Sequence, residues 1–168
     1  DTLLASLGEE QSRDGHGRLA RAHQKRSSDP AILSHHFHGA GEMPTAASYA
    51  ELAGLQADAA QAFARAAEFY RSARVWDDRV DPQRLSKLLQ LEGGALANAG
   101  ALASAGERYL LASSHAAGLD ALELRRRAVE SLLAGGRVDE ALQELRSLLE
   151  ALGLTYPRTE SAALLRAV

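Results

Sequence analysis

Leucine and alanine recur at helical spacing in blocks set apart by glycine or proline. The clearest block is 138–152, where Val138, Ala141, Leu142, Leu145, Leu148, Leu149 and Leu152 follow the i, i+3, i+4, i+7 rule of an amphipathic helix. Upstream, 121–134 carries Ala128, Val129, Leu132 and Leu133 on one stripe and stops at Gly135-Gly136. Helices are likewise predicted over 102–116, and from Pro82 through Leu85, Leu88, Leu89 and Leu96 to a stop at Gly100. A further block at 59–75 places Ala62, Ala66, Phe69, Tyr70 and Ala73 on one face. Another opens at Pro44 with Ala46, Ala47, Ala50, Ala53 and Ala57, and a short one spans 30–38, ended by Gly39 and Gly41. Residues 55–61 hold no proline, and no glycine marks their end, so a tight turn and a continuous helix both remain open there. Asp29-Pro30 and Asp81-Pro82 are capped helix starts, with Asp at the N-cap and Pro at the first helical position.

The ends are less regular. Residues 1–29 give an apolar turn at Leu3, Leu4 and Leu7, then a polar stretch in which Gly15 and Gly17 flank His16, then a helical continuation to about His23. The predicted organisation is an irregular or short helical segment over 1–29, a helical array over 30–153, and a linker with the start of a further helix over 154–168. Seven or eight helices joined by short loops must pack antiparallel. Composition agrees: 34 Ala and 28 Leu stand against six Val plus Ile, and aromatics are 5%, too few β-formers for sheet. The first residue is Asp, not Met, so the chain is expected to be a segment of a longer protein.

The glycine breaks are periodic. Gly93, Gly100, Ala105, Tyr109 and Ala112 are matched, 36 positions on, by Val129, Gly136, Ala141, Leu145 and Leu148. Gly54, Ala66, Tyr70 and Ala73 repeat the pattern 39 positions upstream, with Gln61 at the mid-hairpin glycine position. A poorer set, Ser34, Gly41, Ala46, Ala50 and Ala53, lies only 20 before that one. In a strict array the helix after Pro44 cannot close one repeat and open the next. Mechanically, a small residue at the helix crossing permits close approach, and a glycine between the helices supplies the positive φ of the turn. The aromatic or leucine four residues after the second-helix alanine is expected to fill the space between repeats.

This period and arrangement resemble tetratricopeptide repeats, without their Trp and terminal Pro at the matching positions. The resemblance implies an all-α fold of antiparallel hairpins stacked as a short right-handed superhelix. The runs His16-Gly17-Arg18-Leu19-Ala20, Asp29-Pro30 to Gly41, Ala46-Ala47-Ser48-Tyr49-Ala50, Leu122–Arg127 and Gly153-Leu154-Thr155-Tyr156-Pro157 are similar to helical tails that follow the ATPase module of bacterial multidomain regulators, among them serine/threonine kinases. That resemblance implies a parent bearing kinase and ATPase modules, of which this chain is the sensory or scaffolding part.

No catalytic motif accompanies it. The sequence has no GxxxxGK[ST] or GxGxxG loop, no HRD or DFG, and no GxSxG. Gly93-Gly94 and Gly135-Gly136 follow helical patterns rather than strands and read as crossings and stops, not phosphate cradles. His35, His36 and His38, with Glu42 near, lack the i, i+4 pair and any Cys, so no metal site and no cofactor is assigned. His16 has no nucleophile or carboxylate partner at a recognisable spacing, and His115 reads as a helix-end residue. Asp77, Asp78 and Asp81 read as a capping and solvated loop, with Trp76 anchoring it. With 19 basic and 22 acidic residues, the net charge of −3 disfavours a nucleic-acid partner. No apolar run approaches a membrane span, and the lack of cysteine fits a cytoplasmic setting. By analogy with tetratricopeptide grooves, Lys87, Gln90 and Asn98 on one first helix and Arg126, Arg127 and Glu130 on the next are the candidate partner-facing residues. The competing reading pairs the arginines with Glu123 and Glu130 on a solvated face. The expected function is binding of a protein or peptide, including other domains of the same chain. The alternatives are a structural linker that dimerises through exposed array ends and, less favoured, a small-ligand domain.

Overall fold

The computed structural model describes residues 2–26, 29–77 and 81–154, and among these every regular element is a helix. They are α1 (Thr2–Gln24), α2 (Pro30–Gly39), α3 (Met43–Ala59), α4 (Phe63–Trp76), α5 (Pro82–Asn98), α6 (Leu102–Ser113), α7 (Gly118–Ala134) and α8 (Val138–Ala151). Each packs on its neighbours in sequence, and no more distant pair makes an extensive contact. No described helix is long and apolar enough to cross a membrane.

The two Asp-Pro starts behave as their chemistry dictates. Asp29 accepts from the Ala31 N–H at 2.9 Å and Asp81 from the Arg84 N–H at 2.9 Å, each satisfying a donor that the helix leaves orphaned. Four of the other five junctions share one three-residue turn, at 40–42, 60–62, 99–101 and 135–137, and it recurs after α8 at 152–154; the α6–α7 junction, 114–117, is longer. In each, the third N–H reaches back to the carbonyl five residues earlier, as in Ala101 to Leu96 at 2.9 Å and Ala62 to Ala57 at 2.8 Å. That closure forces the middle residue into the left-handed region: Gly100 has φ +83° and Gln61 has φ +59°. The open choice at 55–61 thus resolves as a turn, made with a glutamine.

The next helix begins at once, because the third turn residue accepts from the N–H four positions on. Those positions are Ala46, Ala66, Ala105 and Ala141, all fully buried. They sit in the first turn of one helix against the last turn of another, where little beyond a methyl fits. Further from the turn, the helices are held apart by larger groups resting on glycine. A Cβ on Gly54 would lie 2.6 Å from the Tyr70 ring, and one on Gly93 2.9 Å from the Tyr109 ring. Both tyrosines thus stand between the helices of their own hairpins, α3–α4 and α5–α6, and also reach the next hairpin as expected, Tyr70 clustering with Ala95 of α5 and Tyr109 with Leu124 and Ala128 of α7. Leu145 in α8 packs correspondingly beside Val129, Leu132 and Ala141.

The start of the chain departs from expectation. The stretch read as irregular is one continuous helix, α1, running through Gly15 and Gly17. Its inward face is formed by His16, Gly17, Ala20 and His23, which are polar or small. Ala20 is fully buried against Leu33, Phe37 and Ala46. Sequence periodicity in large apolar residues cannot reveal such a face. The last segment, 155–168, lies outside the described residues, as do Asp78 and the rest of 78–80.

Gln61 is the one non-glycine residue with positive φ among those described. Replacing it with glycine relieves the contact between Cβ and the following carbonyl, so Gln61→Gly is expected to stabilise by about 1 kcal/mol. Gly100→Ala is expected to destabilise by a similar amount. Thermal unfolding followed by circular dichroism checks both, and a lower midpoint for Gln61→Gly would contradict the account of the turn.

Candidate functional site

The first turns of α5, together with Glu51 of α3 and the α6–α7 connection, enclose an open cavity of about 1000 Å³. The connection between α6 and α7 is four residues, Ser114 to Ala117, and all four line the cavity. The floor is polar, and most of it is paired. Buried Ser86 donates to the Ala112 carbonyl at 3.0 Å and accepts from the Gln90 amide at 3.2 Å. Arg84 pairs with Glu51 at 3.2 Å, and its buried Nε meets no partner among the described residues. Lys87 stands exposed at the wall with no ion pair among the described residues. His115, read as a helix-end residue, and Asp120 face the same space from the far side. The lining is thus of both signs, Glu51, Asp81 and Asp120 together with Arg84 and Lys87.

The residues nominated for a groove do not share one surface. Lys87 and Gln90 line this cavity; Asn98 is the exposed last residue of α5, outside it. Arg126 and Glu130 lie exposed on α7 away from this cavity, and there Arg126 holds Glu123 at 2.7 Å and also bonds Glu130. That hydrogen bond keeps the Glu123 carboxyl below its ordinary pKa and raises that of Arg126. The pairing with Glu123 and Glu130 weighed above is the arrangement found, and it is worth little in stability because these groups are exposed. Arg127 turns inward: its Nη2 donates to the Tyr109 hydroxyl at 2.6 Å and its guanidinium lies 4.2 Å from the ring centroid. It is committed to the α6–α7 contact and leaves the groove set. Arg125 ties α7 to α8 through Glu144 and through Ser147 at 2.8 Å.

Trp76 is half-buried beside Ala50, Ala73 and Leu88, with the His38 ring 4.2 Å from its own. The anchoring role expected of it matches this contact. His35 and His36 meet a third histidine from outside their own helix. Their partner is His16, twenty residues upstream on α1, whose Nδ1 lies 3.0 Å from His36 Nδ1. Burial, then the neighbouring His16, His35 and His23, holds His36 below the ordinary imidazole pKa. Glu42 is taken by Arg21 at 2.9 Å. In sequence the only hint of this histidine meeting is the pair of small residues, Gly17 and Gly39, that bring α1 and α2 close.

A scan against protein-family models and searches of curated proteins and of solved structures return no match to this chain.

The two hairpin tyrosines differ in one respect that can be tested. Tyr109 has its hydroxyl bonded to Arg127, whereas that of Tyr70 is buried without a partner among the described residues. Burial, reinforced by Asp58 and Glu51, pushes Tyr70 up to about 12. Tyr70→Phe is therefore expected to leave stability unchanged or raise it by about 1 kcal/mol, while Tyr109→Phe loses about 1–2 kcal/mol. The sign for alkaline solution follows. A raised pKa favours the neutral phenol in the fold, so this share of stability is whole below the ordinary value of 10.0 and is lost as pH rises towards about 12. Tyr70→Phe should flatten the alkaline fall in melting temperature; equal falls in variant and parent would refute the assignment.

Proposed function

We propose that this chain is a tetratricopeptide-like array that binds a protein or peptide segment along its odd-numbered helices. It acts as the non-catalytic, scaffolding or sensory part of a larger cytoplasmic signalling protein, of the kinase–ATPase type its sequence resembles. The observation that carries the reading is the composition of the cavity wall. Its side chains come from α3, α5 and the start of α7, the first helices of the hairpins α3–α4, α5–α6 and α7–α8, together with the connection that precedes α7. In tetratricopeptide arrays the first helices line the concave, partner-binding face. The repeated turn and its buried alanine supply the rigid stacking that such a face needs, since a groove ordered before binding loses less entropy on association.

In this reading Lys87 and Gln90 meet the partner directly: Lys87 as an unpaired cation for a carboxylate, Gln90 as a fixed amide for the backbone. Arg126 and Glu130 play no part. Selection of binders from a randomised peptide library tests this. Enriched peptides should lose tenfold or more in affinity for a Lys87→Glu, Gln90→Ala chain and bind Arg126→Ala as they bind the parent. Failure to enrich any peptide, or equal affinity for the cavity variant, would sink the proposal.

A second reading, association of copies through the array end, is favoured by Val138 and Leu152 of the amphipathic stripe, which are about half exposed. Light scattering over a concentration series distinguishes it: dimers abolished by Val138→Glu support it, and a monomer at high concentration removes it.

A further inference from the structure

Four of the chain's six histidines gather at one place, between the middle of α1 and the second half of α2. His16, His35 and His36 can each turn one ring nitrogen to a common point, with all three atoms within 4.8 Å of one another. His23 stacks on the His36 ring at 5.5 Å and 17°. The approach is specific to the fold, because it joins residue 16 to residues 35 and 36 across two helices. It is also made possible by a defined vacancy: a Cβ on Gly39 would lie 2.6 Å from the His16 ring, so only glycine there admits the imidazole.

We propose that His16, His35 and His36 form a binding site for a divalent first-row transition ion of the Zn²⁺ type, which fastens α1 to α2. Two imidazole nitrogens on one tetrahedral zinc, each about 2.0–2.1 Å from it, stand roughly 3.3 Å apart. His16 Nδ1 and His36 Nδ1 are already 3.0 Å apart, sharing a hydrogen bond that an ion would replace. His35 is exposed and can rotate to complete the trio. Three imidazoles without thiolate suit Zn²⁺, Ni²⁺ or Cu²⁺; Ca²⁺ and Mg²⁺ want oxygen. The Glu42 carboxylate is occupied by Arg21 and does not contribute. With His35 on the solvent side, a fourth position is open to water, as in sites with three protein ligands. Because the ligands straddle α1 and α2, an ion bound there stabilises the docked helix over the undocked one.

The test uses the whole chain, without a histidine tag, stripped with chelator and dialysed. Calorimetric titration with ZnCl₂ should show one ion per chain and raise the melting temperature, while MgCl₂ and CaCl₂ do neither. His35→Gln removes an exposed ligand without touching the core and should weaken zinc binding at least tenfold. His16→Asn should do the same, and His38→Gln, whose ring lies on Trp76, should bind as the parent does. X-ray absorption of the zinc complex should report three imidazole nitrogens. Parent and His35→Gln binding zinc equally, or no heat and no thermal shift with zinc, would overturn the proposal.

Discussion

How closely two helices can approach decides nearly everything else in this molecule. At the start of each turn-linked helix the backbone geometry of the preceding turn delivers a residue into the crossing, and that residue is alanine each time. Buried methyls contribute little individually, about 0.8 kcal/mol per buried carbon of this kind. The core therefore depends on the number of such contacts and on a few large groups placed where the helices begin to diverge. Tyr70 and Tyr109 are those groups, and each can lie where it does only because the opposite helix offers a glycine. Alanine near the turn and aromatic on glycine beyond it form one constraint, and most of the interior follows from it.

Electrostatics then join hairpin to hairpin. Glu92 is almost wholly buried in α5 and accepts from Arg74 of α4 at 3.1 Å and from Arg108 of α6 at 2.8 Å. A lone buried carboxylate would be costly; held between two guanidiniums from two neighbouring helices it fixes the rotation of α5 relative to both. Arg125 and Arg127 serve the α6–α7–α8 contacts in the same way. Most arginines among the described residues are engaged by other side chains of the protein, and of the two cations lining the cavity Arg84 is paired with Glu51 while Lys87 has no ion pair among the described residues. Arg127 is instructive here. By spacing it belonged with Arg126 and Glu130, but one residue is about 100° of helix, and that turn takes it from solvent to the Tyr109 ring.

The helical architecture was legible because its punctuation is chemical. Asp-Pro starts and glycine stops are local signals, and they predict the boundaries of α2, α5 and α8 closely, whereas α6 ends at Ser113 before the expected 116 and α7 starts at Gly118 before the expected 121. Gln61 was ambiguous because it makes a glycine-type turn with a side chain attached, so only the backbone reveals it. The helix α1 was obscured for the opposite reason: its buried face is histidine, glycine and alanine, and hydrophobic periodicity does not register a face that packs through small size. The cavity was half legible. Lys87 and Gln90 stand one turn apart on α5, but Glu51, His115 and Asp120 join them from segments far away in sequence. The meeting of His16 with His36 left no trace in the sequence beyond the small residues Gly17 and Gly39.

The helix α3 has the tight turn at both of its ends, at Gly41 and at Gln61, only 20 positions apart, where Gly100 and Gly136 are separated by 36. It closes one hairpin and opens the next, which a strict array forbids and this chain does. Downstream of Gln61 the helices come as pairs, so a pair could be duplicated or lost without changing which side of the molecule any remaining helix faces. Upstream, the unit is odd. Inserting or deleting a single helix there would change which neighbour every remaining helix pairs with, so whole pairs downstream of Gln61 are the units by which such a chain can lengthen or shorten over evolutionary time.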